Sequence, residues 1–110
     1  MERLRKRSEF LRVSKTKEQW ITPAFIIQIY QRAPEGSSRY GITASRKVGG
    51  AVERNRAKRR LRALIKEFLL QIARPGVDYV LIARKEILRR DFTLMEKELC
   101  HAVKMLHREK

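Results

Sequence analysis

Ser45-Arg46-Lys47-Val48-Gly49-Gly50-Ala51-Val52-Glu53-Arg54-Asn55-Arg56-Ala57-Lys58-Arg59-Arg60-Leu61-Arg62 is the stretch around which the chain is organised. Its last nine positions, 54–62, hold six basic side chains. The run leads directly into an apolar repeat: Ala57, Leu61, Leu64, Ile65, Phe68 and Ile72 recur at helical spacing. The charges therefore occupy the first turns of a long amphipathic helix, held to a core by its other side. At roughly 100° per residue, Asn55, Arg56, Arg59, Arg62 and Lys66 fall on the face away from Leu61. Arg54 and Lys58 point nearer the apolar side, one or two turns before the core begins. No acid follows Glu53 within the run to neutralise it, which argues against an ordinary solvated face. A helix that is basic on one side and anchored on the other suits a phosphate backbone.

Outward from this helix, the chain is a single small domain of 110 residues carrying a formal charge of +15, from 27 Lys and Arg against 12 Asp and Glu. Such an imbalance strains a compact body through self-repulsion and implies a polyanionic partner. Nucleic acid comes first. An anionic membrane is weaker, because the strong helix spends its apolar face on a core. No apolar run approaches the ~20 residues of a membrane span, and no hydrophobic segment follows the basic N-terminus as in a secretory signal. Cys100 is the only cysteine and sits at an apolar helical position. It reads as a small hydrophobe of a reducing, cytoplasmic protein.

Before the basic helix, residues 1–7 read as a flexible basic arm carrying Arg3, Arg5, Lys6 and Arg7. Ser8 can cap a short helix ending by Lys17, with Glu9 in its first turn. Residues 19–21 form a short extended piece, cut by Pro23. Residues 24–31 are a strand rich in Phe, Ile and Tyr. Its alternation sends Phe25, Ile27 and Ile29 to a core, and Ile26, Gln28 and Tyr30 to a face that can line a groove. A Pro-Gly-Ser turn follows, and residues 39–45 return as a second strand, antiparallel to the first as in a hairpin. Gly49-Gly50 make the bend into the helix, which runs over about residues 51–73, roughly 30 Å.

After Pro75-Gly76, residues 77–84 form a central strand, nearly all apolar. Residues 86–92 are a loop or single turn. Thr93 to Glu96 form a capping-box pattern before a last helix striped by Met95, Leu99, Ala102, Val103 and Leu106. The order α-β-β-β-α-β-α is that of an α+β domain, one sheet with helices packed on it.

Catalytic chemistry is not visible in this pattern. The acids are scattered singly. His101 and His107 stand six apart on one helix, poorly spaced for a metal pair, and read as rim residues. No serine has a nearby His-and-acid partner, and there is no phosphate loop. What remains is cationic surface and aromatics. Phe10, Trp20, Tyr30, Tyr40, Tyr79 and Phe92 are candidates for base stacking. Most of these serve a core better, but Phe10 and Tyr30 lie on faces the sheet has no need to bury.

The signature Ser45-Arg46-Lys47-Val48-Gly49, Ala51-Val52 and Arg54-Asn55-Arg56-Ala57-Lys58-Arg59-Arg60-Leu61-Arg62 closely resembles that of the bacterial ribonuclease P protein subunit family. Glu9-Phe10, the strand from Phe25 to Tyr30, Tyr40-Gly41-Ile42-Thr43 and Asp78-Tyr79-Val80-Leu81-Ile82-Ala83-Arg84 agree with it, so the resemblance covers nearly the whole chain. It implies a mixed four-stranded sheet with three helices and a left-handed βαβ crossover, against the usual hand. It implies the small subunit of a ribonucleoprotein endonuclease that removes the 5′ leader of precursor tRNA. The catalyst is the RNA subunit, which holds the Mg²⁺, so this chain carries no catalytic residue. By position, the resemblance gives Arg46, Lys47, Arg54, Asn55, Arg56, Lys58, Arg59, Arg60 and Arg62 to the RNA subunit. It gives Phe10, Val13, Gln28 and Tyr30 to a cleft for the pre-tRNA leader. The implied partners are the catalytic RNA and precursor tRNA, with no membrane and no obligate protein partner. Two other classes fit the charge alone: a ribosomal or ribosome-assembly protein, and a DNA-binding module, although no helix-turn-helix partner precedes the basic helix.

Overall fold

A computed structural model describes residues 1–108. A five-stranded mixed sheet forms the middle layer, with strands β1 (Glu2–Arg3), β2 (Gln19–Ile21), β3 (Phe25–Gln31), β4 (Arg39–Thr43) and β5 (Val77–Ala83) in the spatial order β1-β4-β5-β3-β2. β5 pairs antiparallel with β3 and parallel with β4, and β1 pairs parallel with β4. The direction expected for β4 against β3 holds, but they are not a hairpin: β5 lies between them. The reason is in the sequence of β5. All but one of its residues are buried, and such a strand is placed where both faces and both edges are covered.

The fifth strand comes from the segment expected to be a flexible arm. Glu2 N donates to Ser38 O at 3.1 Å and Leu4 N to Tyr40 O at 2.7 Å. Leu4, only 5% exposed, anchors the segment among apolar side chains. Leu4 on one face and half-buried Met1 against the large core seat the segment on the open edge of β4.

Three helices pack on the sheet. α1 (Arg7–Lys15) lies alone on one face. α2 (Ala51–Leu64) and α3 (Phe92–His107) cover the other. Glu9, not Ser8, caps α1: its carboxylate accepts from the backbone N–H groups of Arg5 and Lys6, both at 2.9 Å. Lys17 then takes a left-handed backbone (φ 59°) where a glycine would ordinarily end the helix. α3 begins one residue before Thr93, with Asp91 at the cap position, so Thr93 lies inside the helix.

α2 continues through a π turn (Ile65–Leu69) into a last helical turn (Leu70–Ile72). The extra residue in the π turn shifts the phase of everything after it. Leu61, Leu64 and Ile65 reach the core as the spacing predicts, but then Leu69 is buried in place of Phe68 and Ile72. Phe68 is half-buried against the Phe92 ring at 5.8 Å, and Ile72 is exposed.

The large core lies on the α2–α3 face, where Phe25, Ile27, Ile29, Leu81 and Tyr79 meet Leu61, Leu64, Leu69, Met95 and Leu99. His107, expected at the rim, is buried with them, and its Nε2 lies 2.8 Å from Tyr79 Oη. That hydroxyl also accepts from Arg74 N, which fastens the end of α3 to the turn after the long helix. Burial pushes the Tyr79 hydroxyl above its ordinary pKa.

Candidate nucleic-acid interface

The opposite face of the sheet is only partly covered. Its side chains stand in three cross-strand rows: Tyr30, Asp78 and Arg39; then Gln28, Val80 and Gly41; then Ile26, Ile82 and Thr43. α1 lies over the first two rows. Val13 is fully buried against Leu4 and Val80. The Phe10 ring rests on Gly41, where an added Cβ would stand 2.4 Å from Phe10 Cε1. Only glycine lets the helix sit this close.

A chain of ionic groups holds α1 at one end. Asp78 is fully buried and accepts from Arg39 Nε at 2.9 Å and Arg39 Nη2 at 2.7 Å. Arg32 Nε is 3.6 Å away on the other side. Arg39 Nη1 reaches out to Glu9 Oε2 at 2.8 Å. Glu9 is thus shared between the start of α1 and the sheet. Its backbone donors from Lys6 and Arg5, with Arg39, lower its pKa to about 2. Hydrogen bonds to Asp78 hold the Arg39 guanidinium further above its ordinary range. None of these roles is visible in the sequence, where Asp78 is one of the scattered acids. A charged residue flanked by Val77 and Tyr79 in an otherwise apolar strand was the available sign.

The third row is left open. Ile26 and Ile82 form the floor of a shallow pocket of about 550 Å³, framed by Ser45, Lys47, Arg84 and Lys85. None of Phe10, Val13, Gln28 and Tyr30 lines this pocket. Gln28 and Tyr30 are half-buried in the two rows that α1 overlies, and the Arg12 guanidinium lies 5.8 Å from the centre of the Tyr30 ring. Of the proposed cleft residues, Phe10, Gln28 and Tyr30 keep exposed atoms. Val13 has none and can only support the wall from beneath. The other stacking candidates face the large core: Trp20 makes an edge contact with His101, Phe92 meets Phe68, Tyr79 lies within it and half-buried Tyr40 packs against it.

The signature occupies a separate surface. Gly49, at φ 150°, turns the chain into α2, and the Glu53 carboxylate accepts from Gly50 N at 2.8 Å. Arg46, Lys47, Asn55, Arg56, Arg59 and Arg62 are exposed; Arg54 and Lys58 are half-buried. Among the described residues no carboxylate pairs with Arg54, Arg56, Lys58, Arg59 or Arg62. Arg60 differs. Its guanidinium donates to Ile87 O at 2.7 Å and Arg90 O at 2.8 Å, bracing the short 3₁₀ turn (Lys85–Leu88) after β5. Arg90 in turn pairs with Glu98 of α3 at 2.6 Å. Arg60 is therefore tied into the protein, while its neighbours face outward.

An α+β domain with one half-open sheet face and an unneutralised cationic helix can be compared with known proteins. The family model described as Ribonuclease P matches residues 1–107. The chain belongs to the ribonuclease P protein family. It is 41% identical over 108 residues to the ribonuclease P protein component of Paramagnetospirillum magneticum, covering 94% of this chain and 81% of that one. The protein component of Ruegeria pomeroyi is 41% identical over 109 residues, covering 97% and 87%. Among solved structures, the Staphylococcus aureus RNase P protein superposes with a TM-score of 0.77 at 25% identity, over 97% of this chain and 96% of that one. The Thermotoga maritima RNase P protein gives 0.75 at 31% identity, over 98% and 97%. Membership in the ribonuclease P protein family implies partnership with the RNase P RNA.

Proposed function

We propose that the exposed face of α2 binds the RNase P catalytic RNA, and that the half-open groove beside α1 guides the 5′ leader of precursor tRNA while the RNA subunit cuts it. The observation that carries this reading is the separation of two surfaces on one body. One is a rigid cationic helix without acid partners, suited to structured RNA. The other is the open part of the sheet face beside α1, where Ile26 and Ile82 lie within a rim of Lys47, Arg84 and Lys85. An apolar surface with a basic rim suits a single strand. Arg46, Lys47, Arg54, Asn55, Arg56, Lys58, Arg59 and Arg62 serve the first, and Phe10, Gln28 and Tyr30 the second. Arg60 supports the first from within.

In this reading the protein lowers the repulsion between two polyanions and leaves the cut to RNA. Among the described residues no three His, Cys, Asp or Glu side chains converge on one point. In this reading Mg²⁺ held by RNA phosphates would supply the charge neutralisation that the cut needs. The chain's own residues bind, orient and screen.

Reconstitution tests the reading. Multiple-turnover cleavage of pre-tRNA at low Mg²⁺ is expected only with the RNA subunit and this protein together. Cleavage by the purified protein alone would overturn it. So would recovery of ribosomal RNA, without RNase P RNA, on the protein isolated from cells.

A further inference from the structure

Between β1, the edge of β4 and α2 lies a small cleft of about 80 Å³. Arg3, Lys58 and Arg62 border it, above Tyr40 and Ile42. Among the described residues no carboxylate lines it or pairs with any of the three cations. Like charges brought to one concavity repel, and an anion between them reverses the sign of that interaction.

Arg3 is not a stray side chain near this place. The backbone bonds of Glu2 and Leu4 to β4 hold its own backbone on either side. Leu4 turns into the α1 face, so alternation turns Arg3 toward the α2 face. The N-terminal strand thus delivers a guanidinium to α2 from the far end of the chain. The cleft also touches Phe10, the α1 residue that the reading above gives to the leader, so it adjoins both proposed surfaces.

We propose that this cleft binds one phosphodiester group of RNA. Arg3 supplies a planar fork of donors, and Lys58 and Arg62 supply the balancing charge from the helix. The inference rests on the reading above that these surfaces meet RNA. The phosphodiester comes either from the RNA subunit or from the leader of the precursor, since the cleft adjoins both surfaces.

The test uses Arg3→Gln, Lys58→Gln and the double variant. Arg7→Gln is the control, because it removes the same charge from the first turn of α1, outside the cleft. Circular dichroism checks folding; should Arg3→Gln lose its cooperative melt, Lys58→Gln probes the same cleft from α2. Affinity for RNase P RNA is measured across salt. So is holoenzyme affinity for pre-tRNA with a long and a truncated leader.

Arg3→Gln is expected to weaken one of these interactions roughly tenfold. It should flatten that interaction's log–log salt dependence by about 0.7–0.9, and by more than Arg7→Gln does. Loss in RNA-subunit affinity names that source; loss confined to long-leader pre-tRNA names the leader. The double variant should lose less than the sum of the singles, because both groups serve one phosphate. Additive losses, or Arg3→Gln matching Arg7→Gln throughout, overturn the cleft. A wild-type protein that binds RNase P RNA no better than ribosomal RNA overturns the underlying reading instead.

Discussion

The two faces of the sheet are closed by different forces. On one face α2 and α3 bury a continuous apolar layer, and polar bonds are added at its margins: the Tyr79 hydroxyl with His107 and Arg74, the Arg60 brace and the Arg90–Glu98 pair. On the other face α1 contributes Val13 and half of Phe10, too little apolar area to fix a helix of nine residues. Directional bonds supply the rest, through Glu9, Arg39 and Asp78. Burial leaves this face partly open, and its helix is located by ion pairs. Open and rigid are made compatible by charge.

This contrast can be broken most sharply at its buried carboxylate. Asp78→Asn should cost about 3–5 kcal/mol, since it leaves Arg39 and Arg32 without their shared partner. Urea unfolding measures the loss. Hydrogen exchange should show α1 opening ahead of α2, and equal opening of both helices would remove the distinction between the faces. On the other face, Leu61→Ala should cost roughly 2–5 kcal/mol, because Leu61 is fully buried. There the whole domain should melt as one, with no early release of α1.

A third change should leave both faces intact. Arg56→Ala and Arg59→Ala remove exposed charges without acid partners, so Tm should move little. Affinity for RNase P RNA should fall roughly tenfold for each. A drop in Tm with unchanged RNA affinity would make these arginines structural. The smallest effect is expected from acid. The folded-state pKa of Glu9 is lowered to about 2, against an ordinary 4.5. Its contribution is therefore fully present above pH 4.5 and is lost as pH falls through about 2. Between those limits the Tm of the wild type should fall faster than that of Glu9→Gln. Parallel curves would show that Glu9 does not hold α1.

How far the sequence reveals these two faces depends on the force at work. Apolar alternation in β3 sorted Phe25, Ile27 and Ile29 from Ile26, Gln28 and Tyr30, because burial writes a period into the chain. The long helix was legible for the same reason up to Ile65. Beyond it the π turn, which changes the period itself, moved the core position to Leu69. Strand order was not legible, because pairing partners leave no local mark, and β5 entered between β3 and β4. The ionic chain was hidden for a related reason: Glu9, Arg39 and Asp78 are far apart in sequence and look like surface charges singly. Within the signature, composition could not separate Arg60, which is spent on two carbonyls, from Arg56 and Arg59, which are not.

Gly41 gives the α1 face its scale. The Phe10 ring occupies the space that a methyl group would fill at this position. Alanine there would push Phe10 off the sheet and lift the helix, stretching the Glu9–Arg39 bond. The height of α1 above the sheet is thus set by the smallest side chain in the molecule, acting as a missing shim rather than as a contact.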